Sequence, residues 1–113
     1  GISQYIPARE RALGKEAIAN LKLIAAAERI YRMETGRYCT DRSTPACHTL
    51  NAINTQLKLS LTTTNWTYAI RVPVSGGFTA TADRNGSGGY LDCAYTLAHN
   101  DADGEPDPNN RCP

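Results

Sequence analysis

Four carboxylates lie within seven residues near the C-terminus, Asp101, Asp103, Glu105 and Asp107, with Gly104 among them. Clustered oxygen ligands around a glycine suit a hard cation, and calcium is the cofactor these four residue types point to. Their spacing departs from an EF-hand: with Gly104 at the sixth loop position, His99 stands first and Asn110 twelfth. The plain alternative is an acidic, solvated turn. Four cysteines, Cys39, Cys47, Cys93 and Cys112, include no C-x-x-C pair, which removes the main support for zinc-ribbon and thioredoxin-like chemistry. An even number in a short chain points to disulfides and an oxidising compartment. Three pairings are open. Cys39–Cys47 with Cys93–Cys112 is favoured because each closes a short, proline-containing loop.

Catalytic patterns are missing. His48 and His99 stand far apart, no serine sits in G-x-S-x-G, and Gly86, Gly88 and Gly89 form neither a phosphate loop nor a dinucleotide fingerprint. A non-enzymatic role is expected, with no small-molecule substrate. Charge adds little: residues 1–37 carry a net +3 and residues 38–113 a net −2, too even for a nucleic-acid footprint.

The elements that would position these groups follow from periodicity. The chain has 113 residues, enough for one domain with one modest core, and its mean hydropathy of −0.45 is ordinary for a soluble protein. Residues 8–35 read as one long helix, rich in Ala, Leu, Ile, Glu, Lys and Arg, with Pro7 at its start and Gly36 at its stop. Two apolar stripes run along it. Ala19, Leu23, Ala26, Ala27 and Ile30, with Ile24 and Tyr31 beside them, are assigned to the core. Ile18, Leu21 and Ala25 fall on roughly the opposite side and are assigned, with Ile2, Tyr5 and Ile6, to contacts between subunits. A short helix is expected over 48–59. Strands are expected over Trp66–Val72, Phe78–Ala82 and Tyr90–Ala98, separated by Ser75-Gly76-Gly77 and the glycine-rich turn at 85–89. No strand is expected after Asn100. The resulting class is α+β: a helical stem (1–36), an intervening loop region (37–65), an antiparallel sheet (66–98) and a C-terminal loop (99–113) in one domain.

The stretch Ile2-Ser3-Gln4-Tyr5-Ile6-Pro7-Ala8-Arg9-Glu10-Arg11-Ala12, then Ala17-Ile18-Ala19-Asn20-Leu21-Lys22, then Glu34-Thr35-Gly36-Arg37-Tyr38, resembles type IV pilins and pseudopilins just after their membrane segment. The likeness covers about the first 38 residues in detail; beyond them only the general architecture agrees. It implies a pilin-like fold with a C-terminal loop closed through Cys93 and Cys112. It also implies a structural subunit of an extracellular or periplasmic filament, made of copies of itself or of related pilins. The precursor would be anchored in the bacterial inner membrane by an apolar helix ahead of residue 1. Two alternatives follow: a type II secretion pseudopilin with a calcium-stabilised loop near its C-terminus, and a secreted calcium-binding adhesion module.

Overall fold

The computed structural model describes residues 2–86, 92–101 and 103–113, with side chains from Ala8 onward. Its elements are α1 (Ile2–Thr35), α2 (Leu50–Leu57), β1 (Trp66–Arg71), β2 (Thr79–Arg84), β3 (Ala94–Ala98) and β4 (Asp107–Pro108). The α+β class and the long N-terminal helix agree with the sequence. Helix α1 begins six residues earlier than expected, so Pro7 lies inside it. Pro7 is the sixth helical residue, past the first turn, so it removes one i→i−4 hydrogen bond and its ring crowds the carbonyl four residues back. At 34 residues α1 is about 51 Å long, matching the longest dimension of the molecule, 51 Å.

The sheet is a four-stranded antiparallel meander in the order β1-β2-β3-β4. Strand β4 was not legible in the sequence. It has two residues, one of them proline, and pairs with β3 through Tyr95↔Pro108 and Thr96↔Asp107. Proline is admissible there because β4 is an edge strand. The Cys93–Cys112 disulfide holds the segment in place from both sides. Alternation along the strands sends Trp66, Tyr68, Ile70, Ala80, Ala82, Tyr95 and Leu97 to one buried face. Thr67, Thr81 and Thr96 occupy the outer face and are not buried.

Against this face lies one line of α1: Glu10, Gly14, Ala17, Leu21, Ile24, Glu28 and Tyr31, all buried and spaced alternately by three and four residues. Ile24 and Tyr31 are buried as expected, but the rest of the two apolar stripes is exchanged relative to the sequence reading. Leu21 is 0% and Ala25 6% exposed, in the core rather than at a subunit contact, while Leu23 is 51%, Ile30 57% and Met33 83% exposed. The physical reason is fit. Small residues line the contact, Ala80 and Ala82 on β2 and Gly14 and Ala17 on the buried line of α1, all of them buried. A Cβ on Gly14 would overlap the Tyr95 hydroxyl, whose ring sits edge-on to Trp66.

The same approach makes the polar groups on this line usable. Trp66 Nε1–H donates to the Leu13 carbonyl at 2.9 Å, and Asn20 donates to the Tyr68 hydroxyl at 2.7 Å. Burial pushes the Tyr68 and Tyr95 phenols above their ordinary pKa, with the Asn20 hydrogen bond opposing the shift at Tyr68. Glu10 receives a bidentate fork from Arg84, Nε to Oε1 at 2.9 Å and Nη2 to Oε2 at 3.0 Å. Both side chains are nearly enclosed, at 8% and 12% exposure. Arg84 Nη1 also donates to the Asn65 carbonyl at 3.0 Å, and its guanidinium lies over Trp66, 5.8 Å from the ring centroid.

Removing one member of an enclosed ion pair strands the other charge, at a cost of about 3–5 kcal/mol. Arg84→Ala is expected to lower unfolding stability by that amount in urea titrations. Replacing both partners, as Glu10→Met with Arg84→Met, should recover most of the loss; a double variant as unstable as the single would count against this reading.

Candidate interaction surface

The exposed side of α1 carries its own regular line, Ala19, Leu23, Ala26, Ile30 and Met33, again at three- and four-residue intervals. At 100° per residue this line lies about 180° from the buried one. It is small and apolar for two residues in five, large and apolar for the rest. Its flanks differ in charge. Arg11, Lys15, Lys22 and Arg29 are exposed along one side, with Lys22 paired to Glu105, and Glu16 and Glu34 lie along the other together with Arg9. Next to the apolar line, α2 and the residues after it form a groove of about 310 Å³ with α1, walled by Leu23, Ala27, Ile30, Leu57 and Leu59.

Helix α2 positions that wall. Thr49 caps its N-terminus, accepting from the Ala52 amide at 3.1 Å, and Lys58 ends it in the left-handed region at φ 58°. Asn54 then clamps the returning chain, accepting from the Leu61 amide and donating to the Leu61 carbonyl, both at 2.9 Å.

Of the residues assigned from sequence to subunit contacts, Leu21 and Ala25 are in the core. Ile18 is partly buried at the core margin. The side chains of Ile2, Tyr5 and Ile6 lie outside the described residues. Sequence reading missed Met33, and it assigned Leu23, Ala26 and Ile30 to the wrong side. Their regular spacing was visible, but two apolar lines on one helix leave the choice of inner face open until the sheet is known.

The cysteines pair as expected, Cys39 with Cys47 and Cys93 with Cys112, with Cα separations of 5.6 and 4.6 Å. Two disulfides fit an oxidising, non-cytoplasmic compartment. The expected calcium set does not converge. Among the described residues no group of three or more His, Cys, Asp or Glu side chains is placed to hold a metal ion. Asp101 Oδ2 accepts from the Ala98 amide at 2.9 Å, and Asp103 Oδ1 accepts from the Glu105 amide at 3.0 Å. Glu105 reaches α1 and pairs with Lys22 at 2.6 Å, while Asp107 stands exposed in β4. These acids fold their own loop and tether it to the helix. A cleft of about 250 Å³ remains beneath that tether, between Lys22, Arg29, Leu97, His99 and Asp101.

No protein family, curated protein or solved structure matches the chain.

Two expectations follow for the C-terminal loop. Replacing Cys93 and Cys112 by serine should cost about 3 kcal/mol, since the link spans 19 positions. Glu105→Gln, which breaks a half-exposed pair, should cost less than about 1 kcal/mol. Thermal unfolding of the oxidised protein should not respond to millimolar calcium; a rise of several degrees in Tm would show that the acids do gather around the ion.

Proposed function

We propose that this chain is a structural subunit of a type IV pilus-like filament, in which α1 packs beside α1 of neighbouring copies and the sheet faces outward. The observation that carries this reading is the exposed apolar line Leu23–Ala26–Ile30–Met33, lying opposite the core on the longest element of the molecule. A helix serving only its own sheet needs one apolar face. A second face with alanines between larger residues suits close contact with another helix.

The flanking charges favour a second copy of this chain as the occupant, in parallel orientation. Parallel neighbours bring the Arg11–Lys15–Lys22–Arg29 flank of one helix beside the Glu16–Glu34 flank of the next. Antiparallel neighbours would set like charges against each other. Repeated head-to-tail contact without closure builds an open filament. The resemblance of residues 2–38 to pilins supports the same reading, as do two disulfides that would hold a small domain together outside the cytoplasm. In this reading the precursor is anchored in the inner membrane by an apolar helix preceding residue 1.

The test separates the two faces of α1. Leu23→Glu and Ile30→Glu should leave unfolding stability within about 0.5 kcal/mol, because both sites are open to solvent in the single subunit. Each buries a carboxylate in the helix seam, so the chain should fall at least tenfold in sheared surface filaments from the producing cells, measured by quantitative mass spectrometry. Leu21→Ala should instead destabilise the folded domain by about 2–5 kcal/mol. Filaments that tolerate both glutamates would overturn the proposal. Abundance of the wild-type chain in that fraction distinguishes a major pilin from a pseudopilin held with the membranes.

A further inference from the structure

Glu28 lies near the C-terminal end of the buried line on α1. Its side chain is 0% exposed. Oε1 accepts a hydrogen bond from the Cys39 amide at 2.7 Å, and Oε2 is buried with no partner. Among the described residues it takes part in no salt bridge.

The segment it holds, residues 36–48, is packed into the core through Cys39 and Cys47, both fully buried, and through Tyr38, whose ring sits edge-on to Phe78 with centroids 4.9 Å apart. It has few polar ties to the rest of the protein. The Asp41 amide donates to the Ile70 carbonyl at 2.9 Å, and Arg32 donates to the Tyr38 hydroxyl at 3.2 Å. Internally the segment is well organised: Cys39 is bonded to Cys47, and the Cys47 amide donates to the Thr40 carbonyl at 2.7 Å. It is therefore a small, internally closed unit.

We propose that Glu28 is a protonation-controlled latch, which when neutral holds the disulfide-closed segment 36–48 against α1 and when ionised releases it. The geometry sets the direction. A neutral carboxyl satisfies the Cys39 amide with one oxygen and leaves little penalty at the other. An ionised carboxylate would keep a charged, unsolvated oxygen in the core, which favours opening to water. Burial raises the Glu28 pKa from 4.5 to about 7, opposed by the Cys39 hydrogen bond.

The charged and titratable groups around the latch come from three elements. Arg32 on α1 is occupied by Tyr38, with its guanidinium 5.0 Å from the ring centroid. Tyr38 and Asp41 belong to the segment itself. Arg71 on β1 approaches Asp41 Oδ2 at 4.0 Å. Asp41 Oδ1, like Glu28 Oε2, is buried without a partner.

Because the closed state has the raised pKa, closure is fully favoured below about pH 4.5. It weakens as the pH rises to about 7 and then stays at its weaker level. If Glu28 in the open state titrates at its ordinary value, the opening equilibrium increases on the order of 100-fold between pH 5 and pH 8.5. This inference concerns the folded single subunit and does not depend on the filament reading.

The experiment is amide hydrogen exchange at Cys39 by NMR, corrected for the intrinsic pH dependence of exchange, on the disulfide-bonded protein. Protection at Cys39 should fall on the order of 100-fold from pH 5 to pH 8.5, while amides of Leu21 and Tyr68 keep theirs. In Glu28→Gln, which retains a neutral acceptor for the Cys39 amide, protection should be independent of pH. The carboxyl carbon of Glu28 in the unmodified protein supplies a readout that needs no variant, and should titrate near 7. Titration near 4.5, or wild-type protection that does not change with pH, would overturn the latch.

Discussion

A helix can lie on a sheet only as closely as its smallest facing residues allow, and in this protein that limit shows at Gly14, where a Cβ would overlap the Tyr95 hydroxyl. The rest of the core depends on this approach. It brings the Leu13 carbonyl within reach of Trp66, seats Leu21 and Ile24 at zero exposure, and encloses two glutamates that would otherwise be solvated. Those glutamates mark the two ends of the contact, about 27 Å apart along the helix. They are satisfied differently. Glu10 meets a guanidinium fixed by the end of β2 and by Asn65. Glu28 meets a single backbone amide.

That asymmetry divides the domain into a rigid and a conditional half. At the Glu10 end, ion pair, indole and strand interlock, and their loss is felt globally. At the Glu28 end, the carboxyl itself is tied by one hydrogen bond to a small disulfide-closed unit. At the opposite edge of the sheet the C-terminal segment is secured covalently through Cys93–Cys112 and by the two residue pairs of β4. Its acids are absorbed in local turns and in the Lys22 tether. With one side of α1 closed off by this packing, the line Ala19–Met33 remains available for another molecule.

Much of this was legible from periodicity. The long helix, α2 and the first two strands fall where apolar spacing puts them, because each buries one face and breaks at Gly, Pro or Thr. The inner face of α1 was not legible, and Glu10, Gly14 and Glu28 explain why. Ranking helix faces by hydrophobicity penalises charged and small residues, yet the buried line contains both, while Leu23, Ile30 and Met33 stand outside. An alternating three-and-four spacing that runs unbroken from residue 10 to 31, through two glutamates and a glycine, was the available signal. Strand β4 had no local signal at all, since Asp-Pro has no strand preference and is placed by a disulfide. In the acidic loop residue type shows which ions a carboxylate suits, and only the fold shows that Asp101, Asp103 and Glu105 each direct one oxygen into a local hydrogen bond or ion pair.

Cysteine cross-linking in assembled filaments offers the sharpest discrimination. Among the described residues no free cysteine is present, so Leu23→Cys or Ile30→Cys introduces the sole reactive thiol on this face. Mild oxidation of intact filaments should yield covalent dimers through these positions, whereas Thr81→Cys on the outer sheet face should remain monomeric. Efficient cross-linking at Thr81 with none at Leu23 or Ile30 would place the subunit interface on the sheet and contradict the role assigned to α1.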